Sequence, residues 1–151
     1  MGAVATTPNG ISNVWLPGDP HLKTLFSDQF KNSERASHAA RQLELYFNRA
    51  LKSFDIIVDF TTMTIFRQQV LSQLAKVPYG KVITYHQLAL QIGSPNASRA
   101  VGGAVAANPI PIILPCHRVI SSSGAVGGYS GAGGVEMKKY LLSLEGYMDI
   151  D

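Results

Sequence analysis

The stretch from Pro78 to Pro115 is cut by its own punctuation into pieces that admit two short helices and one buried apolar run. Thr84-Tyr85-His86-Gln87 has the Thr-x-x-Gln form of a capping box, in which each side chain satisfies a backbone donor left over at a helix start. The helix it opens runs through Leu88 and Ala89 and ends near Gly93. Ser94 and Pro95 then supply an N-cap and a first-turn residue for a second helix, Asn96 to about Ala107. That helix has to stop because Asn108 precedes Pro109. Two short helices across a tight glycine-containing turn predict a helix-turn-helix.

The second helix is made of Ala97, Ser98, Ala100, Gly102, Gly103, Ala104, Ala106 and Ala107, with Arg99 its one long polar side chain. Each internal glycine costs about 1 kcal/mol of helix stability relative to alanine. Close backbone approach to another surface offsets that, and the surface is either a neighbouring helix or an outside partner. Arg99 standing alone on so smooth a helix has the form of a probe on a face that fits a groove. The charges lean the same way. All ten acidic residues lie outside positions 60–135, while Arg67, Lys76, Lys81, Arg99 and Arg118 lie within. A local positive field favours a polyanion, although a solvated basic face accounts for it equally well.

The chain has 151 residues, 46% of them apolar, enough for one compact unit or a small domain with a short subdomain. No apolar run reaches the roughly 20 residues of a bilayer span, and the N-terminus has no secretory pattern. Before the helix pair, Ile11 to Leu16 reads as a strand. Glu34 to Leu51 reads as an amphipathic helix carrying Leu43, Tyr46, Phe47, Ala50 and Leu51, and Phe54 to Phe60 as a strand. Phe66, Val70 and Leu74 mark a further helix. Glu136 to Glu145 forms the last one, with Tyr140, Leu141 and Leu144 inward and Gly146 as its stop.

Chemistry concentrates at Pro115-Cys116-His117-Arg118-Val119, after the apolar run that begins at Pro111. Cys116 is the only cysteine, so no internal disulfide forms and a reducing compartment follows: the cytoplasm, or the nucleus in a eukaryote. A nucleophilic sulfur needs thiolate, which His117 and Arg118 favour. In an extended segment neighbouring side chains point to opposite faces, so His117 would reach the thiol through a bridging water. A carboxylate from elsewhere is expected to orient the histidine. Zinc is not expected, because Val119 stands where a Pro-Cys-x-x-Cys site needs its second sulfur. A Cys-His hydrolase stays open. The loop Ser121 to Gly134 is glycine-rich and suited to wall a pocket.

The pentapeptide Pro115 to Val119 resembles the active-site signature of the O6-alkylguanine-DNA alkyltransferases, also called methylated-DNA–protein-cysteine methyltransferases. The similarity is collinear through Val77–Tyr85, Ser98–Ala104, Asn108-Pro109, Gly128–Gly131 and Leu141–Gly146, and weak before Phe60. It implies an α+β fold. Residues 1–60 would form a small N-terminal α/β subdomain with a short antiparallel sheet. Residues 61–151 would form a mainly helical C-terminal alkyltransferase domain with the helix-turn-helix.

The same resemblance implies single-turnover transfer of an alkyl group from O6-alkylguanine, and from O4-alkylthymine, in double-stranded DNA to Cys116. The protein would act as a monomer without cofactor or metal. His117 would deprotonate the thiol, Glu145 would stabilise the imidazolium, and Asn108 would bridge the DNA-binding helix and the active-site strand. Arg99 would replace the flipped nucleotide. Tyr85 would rotate its phosphate and assist protonation of the leaving guanine, and Ala97, Ser98 and Gly102 would lie against DNA. Val119, Tyr129, Ser130 and Gly131 would line the base pocket, Ser130 donating to O6. The Gly131–Gly134 loop is longer than is usual in the family. A non-catalytic lesion binder with a structural cysteine is the competing reading.

Overall fold

Residues 1–25 and 33–149 are described by a computed structural model. The chain opens with an antiparallel hairpin of β1 (Ala3–Thr7) and β2 (Gly10–Trp15), with a bulge between Ala5 and Thr6. Only its second strand was legible from apolar patterning. Gly10 has φ +146°, and a Cβ there would lie 2.5 Å from the Ile57 carbonyl oxygen, so the turn requires glycine. The segment pressed against it, Phe54 to Phe60, is not the strand its alternation suggests. It makes one parallel bridge, Ile11 with Val58. Asp59 then accepts from the Thr7 and Thr61 hydroxyls and the Thr61 amide, which turns the chain away after a single rung.

A short α1 (Leu22–Leu25) is followed by α2 (Glu34–Phe47), N-capped by the Ser33 hydroxyl. α2 ends four residues before Leu51, because Arg49 takes φ 60° and the Ala50 amide closes back on the Leu45 carbonyl. α3 (Ile65–Leu74) is capped by Thr64 and packs against α4 (Tyr85–Gln91) and α5 (Ser98–Ala106). Both halves of the Thr84/Gln87 capping box are formed, at 3.0 and 2.9 Å. The Ser94-Pro95 cap is not. Those residues open a turn closed by the Ala97 amide on the Ser94 carbonyl, so α5 begins at Ser98 with no side-chain cap.

A two-residue parallel pairing of β3 (Ile83–Thr84) with β4 (Val119–Ile120) ties the start of α4 to the cysteine segment. Cys116–Arg118 is a 3₁₀ turn, not extended chain as expected. α6 (Gly134–Leu144) follows, ended by Gly146 at φ +83°. Its inward stripe is Lys138, Leu141, Leu142 and Glu145, the i, i+3, i+4, i+7 spacing of one helix face. Tyr140 falls off that stripe and is exposed, contrary to expectation. One hydrophobic cluster draws Ile11, Val14 and Tyr46 together with Leu71, Leu88, Val101, Ile112 and Leu141.

Candidate active site

The backbone that presents Cys116 is strained before it reaches the sulfur. Ile112, β-branched, sits at φ 73° in a γ-turn closed by the Ile113 amide on the Pro111 carbonyl. Asn108 holds the strained piece from both ends. Its amide donates to the Leu114 carbonyl at 2.7 Å and its side-chain oxygen accepts from the Ile110 amide at 2.9 Å. The end of α5 and the Cys116 turn are thereby locked together.

Cys116 lines a cavity of about 320 Å³, shared with Tyr85, Gly102, Val105, Ala106, Gly128, Tyr129 and Ser130. Of the expected pocket residues, Tyr129 and Ser130 line this space. Val119 is fully buried outside its lining, and Gly131 lines a second recess of about 200 Å³ that shares Ala106, Cys116 and Ser130 with the first and adds Trp15 and Pro111. The Ser130 hydroxyl donates to the Ala106 carbonyl at 2.5 Å, closing the loop onto α5. Tyr85 packs over Gly102, 3.8 Å from where a Cβ would stand, an ordinary contact distance. Arg99 is exposed on the outer face of α5, with Ala97 and Ser98 half-buried at its start.

The rear of the site is charged and dry. His117 and the Glu145 side chain are buried, and Nε2 of the ring meets Oε1 of the carboxylate at 2.7 Å. The same oxygen accepts the Tyr46 hydroxyl at 2.7 Å and Arg118 Nη2 at 2.8 Å. The other accepts Arg118 Nε at 2.9 Å and the Gly80 amide at 3.1 Å. Arg118 Nη1 donates to the Val77 carbonyl. Burial alone would raise Glu145, but the hydrogen bonds and charges of His117 and Arg118 outweigh it and hold the carboxyl at about 2. Burial pushes His117 down in spite of Glu145, so the ring is neutral. With Nε2–H directed to the carboxylate, the unprotonated nitrogen is Nδ1, which is buried and has no protein partner.

Burial also pushes the Cys116 thiol up, while Asn108, the Lys138 charge and Tyr129 act to bring it down. The Tyr129 hydroxyl, without another protein partner, faces the sulfur, and burial raises that phenol well above its usual range. Arg118 proves to be part of this buried network and not of a basic surface, leaving the exposed Lys76, Lys81 and Arg99 and the half-buried Arg67 to carry the positive charge of the segment. Two residues escaped sequence reasoning. Tyr46 reads as plain core, and Lys138 reads as one more helix-surface lysine; only its place three residues before Leu141 and seven before Glu145 hinted otherwise.

A family profile described as 6-O-methylguanine DNA methyltransferase, DNA binding domain, matches residues 65–147. The methylated-DNA–protein-cysteine methyltransferase of Methanosarcina acetivorans is 48% identical over 116 residues, 77% of this chain and 72% of that protein. Its counterpart in Homo sapiens is 57% identical over 83 residues, 54% of this chain and 39% of that protein. The crystal structure of Mycobacterium tuberculosis OGT in complex with DNA superposes with a TM-score of 0.80 at 38% identity, covering 95% of this chain and 85% of that one. With a cysteine, a buried His-Glu pair and a helix-turn-helix assembled as described, and with likeness of this extent, the chain belongs to the methylated-DNA–protein-cysteine methyltransferase family.

Proposed function

We propose that the protein repairs DNA by moving an alkyl group from O6 of guanine, and from O4 of thymine, irreversibly onto Cys116. The observation that carries this reading is Cys116 lining a cavity of about 320 Å³, backed by a neutral histidine and an ionised buried carboxylate. A base inside the stack hides O6, so the lesion leaves the helix at a cost of a few kcal/mol. The smooth face of α5 lies in the minor groove through Ala97, Ser98 and Gly102, and Arg99 fills the gap left by the extruded nucleotide. Contacts of that kind read shape and phosphate, which suits repair in any sequence.

In the loaded site His117 Nδ1 takes the thiol proton through a water, and Glu145 stabilises the imidazolium. The sulfur pair forms the S–C bond as the C–O6 bond breaks. The electron pair passes to guanine, which is protonated with the help of Tyr85, so that in sum the thiol proton ends on the base. Tyr129 borders the base, with Val119 behind the pocket wall, and Ser130 turns from the Ala106 carbonyl to donate to O6. Gly131 borders the alkyl group from the second recess. A thioether has no easy exit, so each molecule reacts once. DNA binding and chemistry belong to residues 61–151, with 1–60 as a supporting subdomain, in a reducing compartment of the cell. Incubation with duplex containing O6-methylguanine is expected to add one methyl, on Cys116, by mass spectrometry, and none to Cys116→Ala. Tight lesion binding without the mass gain would favour a lesion binder, and repeated turnover of an ester or amide would favour a hydrolase.

A further inference from the structure

Lys138 is the one buried lysine among the described residues, and the chemistry above makes no use of it. Its ammonium donates to two neutral acceptors, the Val119 carbonyl at 2.6 Å and the Gly128 carbonyl at 3.1 Å. It thus joins the strand that follows the Cys116 turn to the loop that carries Tyr129 and Ser130. Nζ and the Tyr85 hydroxyl both lie beside Gly127, 3.7 and 3.8 Å from where its Cβ would stand, and the φ of +76° there favours glycine. A buried ammonium among neutral groups is costly, and an anion forming beside it repays that cost. The titratable groups facing it are Cys116 and His117 of the 3₁₀ turn and Tyr85 of α4, with Tyr129 of the loop beside the sulfur.

We infer that Lys138 is a positioning residue that supplies the counter-charge for the Cys116 thiolate while tying the Gly128 loop to Val119. This rests on the alkyl-transfer reading. Lys138 keeps all its protons throughout: the thiol proton goes to His117 and in sum to guanine, the sulfur pair to the alkyl carbon, and the C–O6 pair to guanine. Before transfer thiolate and ammonium balance; afterwards the sulfur is a neutral thioether and Lys138 has lost its anion. Burial holds the Lys138 ammonium at about 8, and a Cys116 thiolate acts to raise it. The two groups therefore titrate as a pair.

Because Cys116 is the only cysteine, ultraviolet thiolate absorbance titrates it alone. Lys138→Met is expected to move that titration upward by about one unit and to slow carbamidomethylation by iodoacetamide about tenfold at neutral pH. Lys138→Arg, which keeps the charge, restores both in part. In the wild-type protein, NMR titration of Lys138 is expected to shift to lower pH once Cys116 is carbamidomethylated. That pair of titrations decides the matter if the variants do not fold. An unmoved thiol titration in folded Lys138→Met, or an unmoved Lys138 titration after alkylation, overturns the inference. None of these measurements involves DNA, so a wild-type protein that fails to take a methyl from O6-methylguanine would sink the repair reading separately.

Discussion

The two sides of Cys116 are built on opposite plans. Behind it, Tyr46, Gly80, His117 and Arg118 converge on one carboxylate, so Glu145 is fixed by four partners from three separate parts of the chain. In front, α5 offers an exposed run of Ala100, Gly103, Ala106 and Ala107, with Arg99 its only long reach. Proton transfer needs a dry site whose charges are already in place, because reorienting them during reaction would add to the barrier. Docking on DNA of any sequence needs the reverse, a surface with few side chains that commit it to particular bases. On the proposed function, the molecule separates the two demands by placing them on opposite sides of a single sulfur.

The strongest challenge to that separation is Glu145→Gln. It leaves Arg118 buried without its anion, and a loss of about 3 kcal/mol of stability is expected by thermal or urea melting. Single-turnover methyl transfer is expected to slow by about a hundredfold or more. Affinity for undamaged duplex should hold; a parallel fall in affinity would mean that the rear network also shapes the docking face. The variant also tests the pH dependence. A carboxyl held at about 2 contributes stability that is complete above the ordinary carboxylate value of 4.5 and drains away as pH falls towards 2. The wild type should lose stability through that acid window, and Glu145→Gln should not.

Tyr46→Phe removes one hydroxyl from the same carboxylate without touching any front-face residue. A loss of about 2 kcal/mol is expected, as for a hydrogen bond to a charged acceptor, with a smaller slowing of transfer than Glu145→Gln brings. A variant as stable as the wild type would show that Arg118 and His117 suffice to hold Glu145. Arg99→Ala probes the other side and should change stability by no more than about 0.5 kcal/mol. Its transfer from duplex O6-methylguanine should fall about tenfold, a loss of roughly 1.4 kcal/mol in transition-state stabilisation. Its reaction with free benzylguanine should stay at the wild-type rate, and equal losses on both substrates would contradict insertion into the helix.

Much of this was legible beforehand where local rules govern. The Thr84/Gln87 capping box, the helix stop before Pro109, the Gly146 terminus and the demand for a carboxylate near His117 all follow from residues close in sequence or from one chemical need. Failures came where a local signal met a competing one. Ser94 is a good N-cap by type, but Pro95 and Asn96 take the centre of a turn first. Phe54 to Phe60 alternates like a strand, yet Asp59 and its threonine partners break the ladder after one bridge.

What the sequence by itself determined is the identity of the nucleophile, its histidine neighbour, and the pair of short helices with one arginine on a smooth face. Each of these is written in a few consecutive residues, where periodicity and capping act. Only the tertiary structure decided which charges are withdrawn from water. Tyr46 and Glu145 meet across 99 positions, Lys138 and Val119 across 19, and Arg118 changes from apparent surface cation to buried clamp. Burial and Coulomb energy depend on what distant segments bring to the same point in space, and no spacing within one segment encodes that.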